Sequence, residues 1–412
     1  MELYFFAMEI DEGSRRVLLF QLQFNKPLAS QVRVPAFFCD LMGEDGGVES
    51  VEGFAGHGHG GLESGASSFQ LAEAMDNLSC CNNLIEVRGL DKLIYLESLN
   101  IKYCNSIEQL DFPLSEGLEI LDVQGCDNLV EIRGLDRLEF LENLNIACCT
   151  LIERLLLPKS GSLKILDAEL CMNLNEIQGL DWLEFLEKLN VSWCTSIEKL
   201  HLSKFEHLKI LNGQHCEILV EIQGLNRLEF LKELNISECP SIERLDLPKS
   251  GSLQQLDVSD CKSLIEIEGL DRLEFLKELS ISKCPSIERL CLPKSGSLKQ
   301  LDVLNCESLI EIQGLDRMEF LEMLDLSWCA SIECLPILCC FDTLRRLTIN
   351  GCDKLQDMQS LERFPSCESL WIEDYKALAE LPNLSSFHNY KNCSSRTVMN
   401  FRRFRGLKSQ YL

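Results

Sequence analysis

Apolar positions along this chain recur in one fixed frame. Leu234-Asn235-Ile236 is followed by Cys239, Leu256-Asp257-Val258 by Cys261, and Leu279-Ser280-Ile281 by Cys284. The steps between them are 22 and 23 residues. The same frame, L-x-x-L-x-L-x-x-C, runs from Leu96 to Cys352, with a thirteenth, cysteine-free unit around Leu370-Trp371-Ile372 and a degenerate half-unit around Leu78 and Cys81. Apolar residues alternating with polar ones predict a short strand with one buried face. One unit cannot bury that face alone, whereas stacked units share a continuous core. Strands in register sit about 4.8 Å apart, so thirteen predict a curved parallel sheet on the order of 60 Å long. A slower period overlies this one. Gly-Leu recurs every 45 residues, at Gly89, Gly134, Gly179, Gly224, Gly269 and Gly314. The segment after each cysteine, such as SLIEIEGLDRLEF, returns the chain over the other side. Its Leu270, Leu273 and Leu276 predict a turn or two of irregular helix packed on the core.

This is the leucine-rich repeat pattern. The expected fold is an α/β solenoid: a leucine-rich repeat horseshoe with a parallel concave sheet and an irregular, short-helical convex side. Four regions are expected: residues 1–42, an N-terminal segment of unknown fold; 43–70, a Gly-rich acidic flexible linker; 71–387, the solenoid of about 13 repeats; and 388–412, a basic tail. Between 43 and 66 nine residues are glycine, a composition that cannot bury enough surface to order itself. His57 and His59 lie there and read as solvated rather than metal-binding, since only two ligands are in view.

Charge narrows the choice of partners. The 412 residues hold 65 acidic and 39 basic side chains, a formal charge of −26. Such a chain repels nucleic acid and anionic membrane. The exception is the tail from His388, where Lys391, Arg396, Arg402, Arg403, Arg405 and Lys408 have no acidic neighbour. It reads as a solvated end, or one that docks back on the acidic solenoid or touches a partner. No run of about 18 apolar residues predicts a transmembrane helix, and MELYFFAMEIDEGSRR lacks the basic start of a secretory signal. A reducing, cytoplasmic setting is therefore expected. N-x-[ST] matches at Asn77, Asn190, Asn235, Asn383 and Asn392 are read against that background, two of them falling on strands.

The 22 cysteines follow the frame. Twelve occupy its ninth position: Cys104, Cys126, Cys149, Cys171, Cys194, Cys216, Cys239, Cys261, Cys284, Cys306, Cys329 and Cys352. A small, readily buried residue with a weak S–H donor fits a slot where many such repeats place Asn. No C-x-x-C pair has metal spacing. The thiols are expected to be buried and reduced, their parallel Cα–Cβ vectors suiting packing rather than bridging.

Signatures of catalysis are missing. There is no phosphate loop, no G-x-S-x-G elbow and no H-E-x-x-H helix. Cys39 has no placed base. Carboxylates such as Glu243 and Glu288 recur at equivalent places in each block and read as a solvated face. No enzyme activity, cofactor or metal is expected.

Candidate binding residues are the outward positions of the frame. The fifth position carries short polar groups, from Asn100 and Asp122 through Asp257 and Asp302 to Thr348 and then Trp371. These read as crowding on a curved sheet. Larger side chains break the pattern: Tyr103, Leu170, Trp193, His215, Glu238, Lys283 and Trp328 at eighth positions, Leu304 at a seventh, and Trp371 at a fifth. Exposed aromatics are frequent interface anchors. Two adjacent blocks, 224–268 and 269–313, differ at only nine of 45 positions. Five of the nine (235/280, 238/283, 254/299, 259/304, 260/305) fall on the ten outward strand positions, where an even spread would put two. The swaps are large, Glu238 against Lys283 and Ser259 against Leu304.

The frame, with the phrases LNISECPSIERLDLP, LDVSDCKSLIEIEGLDRLEFLKEL and LDLSWCASIECLP, resembles the leucine-rich region of plant intracellular disease-resistance receptors of the TIR type. The resemblance covers roughly residues 78–385. It implies a cytosolic sensor whose repeats bind a pathogen effector or a guarded host protein and restrain a nucleotide-binding switch. Residues 1–70 match neither a TIR nor a nucleotide-binding domain, so a truncated receptor, a repeat-only paralogue or an incomplete product is expected, with any nucleotide-binding receptor acting in trans. The competing reading is a cytosolic adaptor or inhibitor. Ribonuclease-inhibitor-like proteins have longer repeats than these. A ubiquitin-ligase substrate receptor would need a helical F-box-like segment that residues 1–70 do not spell.

Overall fold

The structure is a computed structural model. It describes residues 2–11, 16–25, 79–80, 84–88, 96–112, 117–159, 162–202, 207–248, 251–294, 296–335, 342–355 and 369–373. The expected linker 43–70 with its two histidines, Cys39 and the basic tail 388–412 lie outside the described residues. The chain divides into two compact units, Met1–Leu186 and Glu187–Leu412.

In the first unit, two ten-residue strands, Glu2–Asp11 and Arg16–Asn25, pair antiparallel, and the second pairs in parallel with Leu84–Arg88. The repeat then begins. Strands Ser98–Asn100, Ile120–Asp122, Asn143–Asn145 and Ile165–Asp167 form a parallel sheet in which Leu99, Leu121, Leu144 and Leu166 stand opposite one another. The second unit continues the same construction from Lys188–Asn190 to Ser369–Glu373, aligning Leu189, Leu211, Leu234, Leu256 and their successors to Leu370. In each three-residue strand of the main sheet the central leucine is buried, and its neighbours face outward except Asn190, which is buried too. Burial of this repeating leucine, at about 25 cal/mol per Å² of apolar surface, is what fixes the register.

The strand stops after three residues for a local reason. The fifth-position Asn or Asp accepts, through Oδ1, the backbone N–H two residues on: Asn145 from Ala147 at 3.0 Å, Asn235 from Ser237 at 2.9 Å, Asp257 from Ser259 at 2.9 Å and Asp325 from Ser327 at 2.9 Å. This side-chain-to-backbone bond imitates a turn. The fifth-position ladder therefore bends the chain, and its short polar residues are structural.

The ninth-position thiols stitch each coil to the one before. Cys126 donates S–H to the carbonyl of Ile101 at 3.1 Å, Cys261 to Ile236 at 3.1 Å, and Cys352 to Leu326 at 3.1 Å. All twelve are buried and all are free thiols. Burial pushes the Cys126 and Cys306 thiols up to about 11 and those of Cys261 and Cys352 up to about 12. These sulfurs are protonated donors rather than nucleophiles. In the native chain the twelve are expected to react slowly with a maleimide, and all at once after denaturation; a mass deficit from disulfides would contradict this arrangement.

Opposite the sheet, the expected helix is replaced by something shorter. In the second unit, Arg244–Asp246 pairs in parallel with Glu266–Glu268, and Arg289–Cys291 with Glu311–Gln313. After the second strand of each pair the chain turns at a left-handed glycine, such as Gly269 with φ 85°, and makes one 3₁₀ turn, Leu270–Arg272. Leu270, Leu273 and Leu276 are buried as expected. So short a coil, once it has spent chain on a second strand, has none left for a longer helix. One strand pair and one 3₁₀ turn for every two coils account for the slower Gly-Leu period.

Candidate functional site

The eighth position holds the site's main structural feature. It lies just past the strand, in the turn, with left-handed backbone in every described coil: φ is 57° at Tyr103, 60° at Leu170, 63° at Trp193, 59° at His215, Glu238 and Lys283, and 62° at Trp328. The expectation that these residues sit on the sheet itself is corrected accordingly. The Asx turn at the fifth position drives the chain into this conformation, and the left-handed residue's N–H then bonds the next coil, as Trp193 N–H does to the Gln214 carbonyl at 2.8 Å. Left-handed backbone costs a residue with a Cβ about 1–2 kcal/mol, and Gly nothing. Among the described residues, only Gly125 and Gly351 take that option at the eighth position. Cys80, in the half-unit, adopts the same turn at φ 65°.

In the first unit, Tyr103 is 46% exposed and its ring covers Gly125; a Cβ on that glycine would fall 2.4 Å from the ring. Leu170 is half-buried. In the second unit, three successive coils form a cluster. Trp193 stacks on His215 with centroids 3.7 Å apart and planes at 21°. His215 Nδ1 meets Glu238 Oε2 at 3.0 Å, and Gln214 Nε2 donates to Glu238 Oε1 at 3.1 Å. Further along, Lys283 Nζ lies 3.7 Å from Asp260. Trp328, 49% exposed, lays its ring over Gly351, where a Cβ would come within 2.4 Å. Leu304 stands one residue earlier in its coil, its N–H bonded to Asp302 at 3.0 Å. Trp371 is within the strand Ser369–Glu373 and donates its Nε1–H to Ser369 Oγ at 3.0 Å. The structure thus brings together Trp193, His215 and Glu238, while Leu304 and Trp371 belong to other parts of the frame.

Hydrogen bonds from His215 and Gln214, the first being the larger cause, hold the Glu238 carboxyl below its ordinary range. A depressed carboxylate contributes stability that is complete above the unfolded value, about 4.3, and lost as pH falls through the folded one. The melting-temperature gap between the chain and Glu238→Gln is therefore expected to shrink toward zero below about pH 4. A gap that persisted there would assign the effect to shape and not to charge.

Beside this ridge, the sheet face of the second unit holds an open groove of about 460 Å³. Glu233, Asp257, Glu278 and Asp302 line it on four consecutive strands. Burial, and then Asp325 and Asp257 as like charges, push the Asp302 carboxyl up, against a lowering hydrogen bond from Leu304 N–H. A different exposed column, Phe140, Phe185, Phe230, Phe275 and Phe320, lies between 51% and 58% exposed. Sequence reasoning passed over it. This place holds Phe in five of the six Gly-Leu blocks and Tyr95 in the first, so it hardly distinguishes one coil from another, whereas the eighth positions do. Among the described residues no group of three or more His, Cys, Asp or Glu is placed to hold a metal ion, and no helix is long and apolar enough to cross a membrane.

No protein-family profile and no curated protein matches the chain. Among solved structures, it is similar to a leucine-rich repeat protein from Bacteroides ovatus, 13% identical, with a TM-score of 0.50, over 98% of this chain and 99% of that one. It is also similar to the functional domain of InlJ from Listeria monocytogenes, described as including a cysteine ladder: 18% identity, TM-score 0.21, covering 74% of this chain and 75% of that one. A third is the plant peptide hormone receptor RGFR1 in complex with RGF2: 15% identity, TM-score 0.27, covering 69% and 64%. The Bacteroides likeness over nearly the whole of both chains makes the fold a leucine-rich repeat solenoid.

Proposed function

We propose that this chain is a non-catalytic protein-recognition module whose partner docks on the left-handed ridge and the sheet face beside it. One observation carries the reading. Bulky and charged side chains occupy a backbone slot that only glycine fills without strain, in coil after coil. A solenoid selected for stability alone would place Gly or Asn there. The nine differences between blocks 224–268 and 269–313 point the same way, since 238/283 and 260/305 are all left-handed residues and the first pair reverses charge.

The finer reading is the sensor region of a plant intracellular immune receptor, working in the cytoplasm and binding a pathogen effector or a host protein, with a nucleotide-binding receptor in trans. The repeat phrases support it, and so does a ladder of buried, free thiols, which suits a reducing compartment. A net charge of −26 argues against nucleic acid and membrane as partners. The test is proximity labelling from the native cell with and without pathogen challenge. Recovery of a nucleotide-binding receptor or an effector supports the reading; recovery of a ubiquitin-ligase scaffold overturns it in favour of an adaptor.

A further inference from the structure

The acidic groove on the sheet face of the second unit is uncompensated. None of Glu233, Asp257, Glu278 and Asp302 has an ion-pair partner among the described residues, and no lysine or arginine lines the groove. At the edge of the same face, by contrast, Lys209 pairs with Glu187 at 2.8 Å and Lys299 with Glu322 at 3.4 Å. Glu233 and Glu278 stand at the third position and Asp257 and Asp302 at the fifth, so the four carboxylates form a zigzag row across four consecutive strands, over about 14 Å of sheet. Burial, and after it repulsion from Asp325 and Asp257, raises the Asp302 carboxyl. Such a row fits an extended cationic segment laid across the strands.

We propose that the basic C-terminal segment of this same chain, centred on Arg402, Arg403, Arg405 and Lys408, docks across this groove. Charge complementarity selects it: residues 388–412 hold six basic side chains and no acidic one, in a chain otherwise rich in acids. Pitch agrees. An extended chain advances about 3.3 Å per residue, so Arg402 to Lys408 covers about 20 Å, enough to meet all four carboxylates. Reach is sufficient. The strand Ser369–Glu373 lies beside Arg346–Asn350, which lies beside Met323–Asp325, whose Met323 lines the groove. Three strand steps from Ser369–Glu373 bring the chain to Asp302, about 15 Å. The 29 steps from Glu373 to Arg402 allow a span of up to about 95 Å, well over this distance. The segment then covers the sheet face, and any ligand of that face has to displace it. This inference does not depend on the partner proposed above.

The test places a photo-cross-linking amino acid at Phe404 in the full chain. The expected result is cross-linking at monomer mass into peptides from the strands between Glu233 and Asp325. It should fall at least tenfold in Asp257→Asn/Glu278→Gln/Asp302→Asn and in high salt. Because that triple change alters the solenoid, Arg402→Gln/Arg403→Gln/Arg405→Gln supplies the same loss from the other side, without touching it. Cross-links elsewhere, cross-links at dimer mass, cross-links indifferent to both sets of variants, or none at all would overturn the proposal.

Discussion

Gly134→Ala is expected to destabilise the first unit by about 3 kcal/mol or more, while Gly213→Ala is expected to stabilise the second by about 0.5–1 kcal/mol. Gly134 opens a 3₁₀ turn with φ 77°, and a Cβ there would sit 2.1 Å from the carbonyl oxygen of Phe112. That backbone cannot yield cheaply. Phe112 N–H is bonded to the Arg133 carbonyl at 2.9 Å, and Gln109–Asp111 is paired with Glu131–Arg133. The left-handed conformation alone costs Ala about 1–2 kcal/mol, and the carbonyl has to move as well. Gly213 differs in every respect. Its backbone is ordinary, and a Cβ would meet Val191 and Ile236 methyls at 3.8 Å, which is normal contact. It is a sixth-position residue facing the core, and Ala168 fills the equivalent place in another coil. Urea denaturation of the two variants measures both effects. Because neighbouring coils carry each other's stability, hydrogen exchange in Gly134→Ala should accelerate first in strands Ile120–Asp122 and Asn143–Asn145. A Gly134→Ala chain as stable as the parent would show that the 3₁₀ turn is not built as described.

The parts of this architecture that were legible in the sequence are those the apolar frame dictates. Leu234, Leu256 and Leu279 must share a core because nothing else in their coils can bury them, so register and strand count followed from spacing. Cys239 and Cys261 were legible as buried thiols for the same reason. The turn was harder to read. Alternation predicts outward-facing side chains at the fifth, seventh and eighth positions alike, yet Asp257 bonds Ser259 N–H and throws Asp260 into the left-handed region. A signal for this was present: Gly125, Gly351, Asn305 and Asp260 share one column, and these are residue types that tolerate such backbone. The other side of the coil was misread for a different reason. Leucines three apart at 270, 273 and 276 satisfy a helical turn, but also a single 3₁₀ turn followed by extended chain. The outer strand pairs, made by Arg244–Asp246 and Glu266–Glu268, depend on partners a full coil away that no local pattern marks. In the N-terminal region, to which the sequence assigned no fold, the apolar run Val17-Leu18-Leu19-Phe20 lies within the strand Arg16–Asn25.

Trp193→Gly/Trp328→Gly is expected to weaken capture of the physiological partner about 30-fold or more, equivalent to about 2 kcal/mol, while leaving the chain's stability within about 1 kcal/mol of the parent. The two halves of this expectation come from opposite sides of one residue. Each tryptophan presents a large amphipathic ring, the kind of group that dominates interface energies. Each also holds the left-handed conformation at a cost of about 1–2 kcal/mol that glycine does not incur. Removing the ring forfeits the stack of Trp193 on His215 and the cover of Trp328 over Gly351; relieving the backbone offsets that loss. Alanine separates the two effects. It removes the ring and keeps the strain, so Trp193→Ala/Trp328→Ala should match the glycine pair in capture and fall below it in stability by about 1–2 kcal/mol for each site. If the aromatics are structural, stability and capture will decline together in both pairs, in proportion. If capture is unchanged in a folded glycine pair, the two tryptophans are not part of the docking surface, and the ridge keeps its strain for some other purpose.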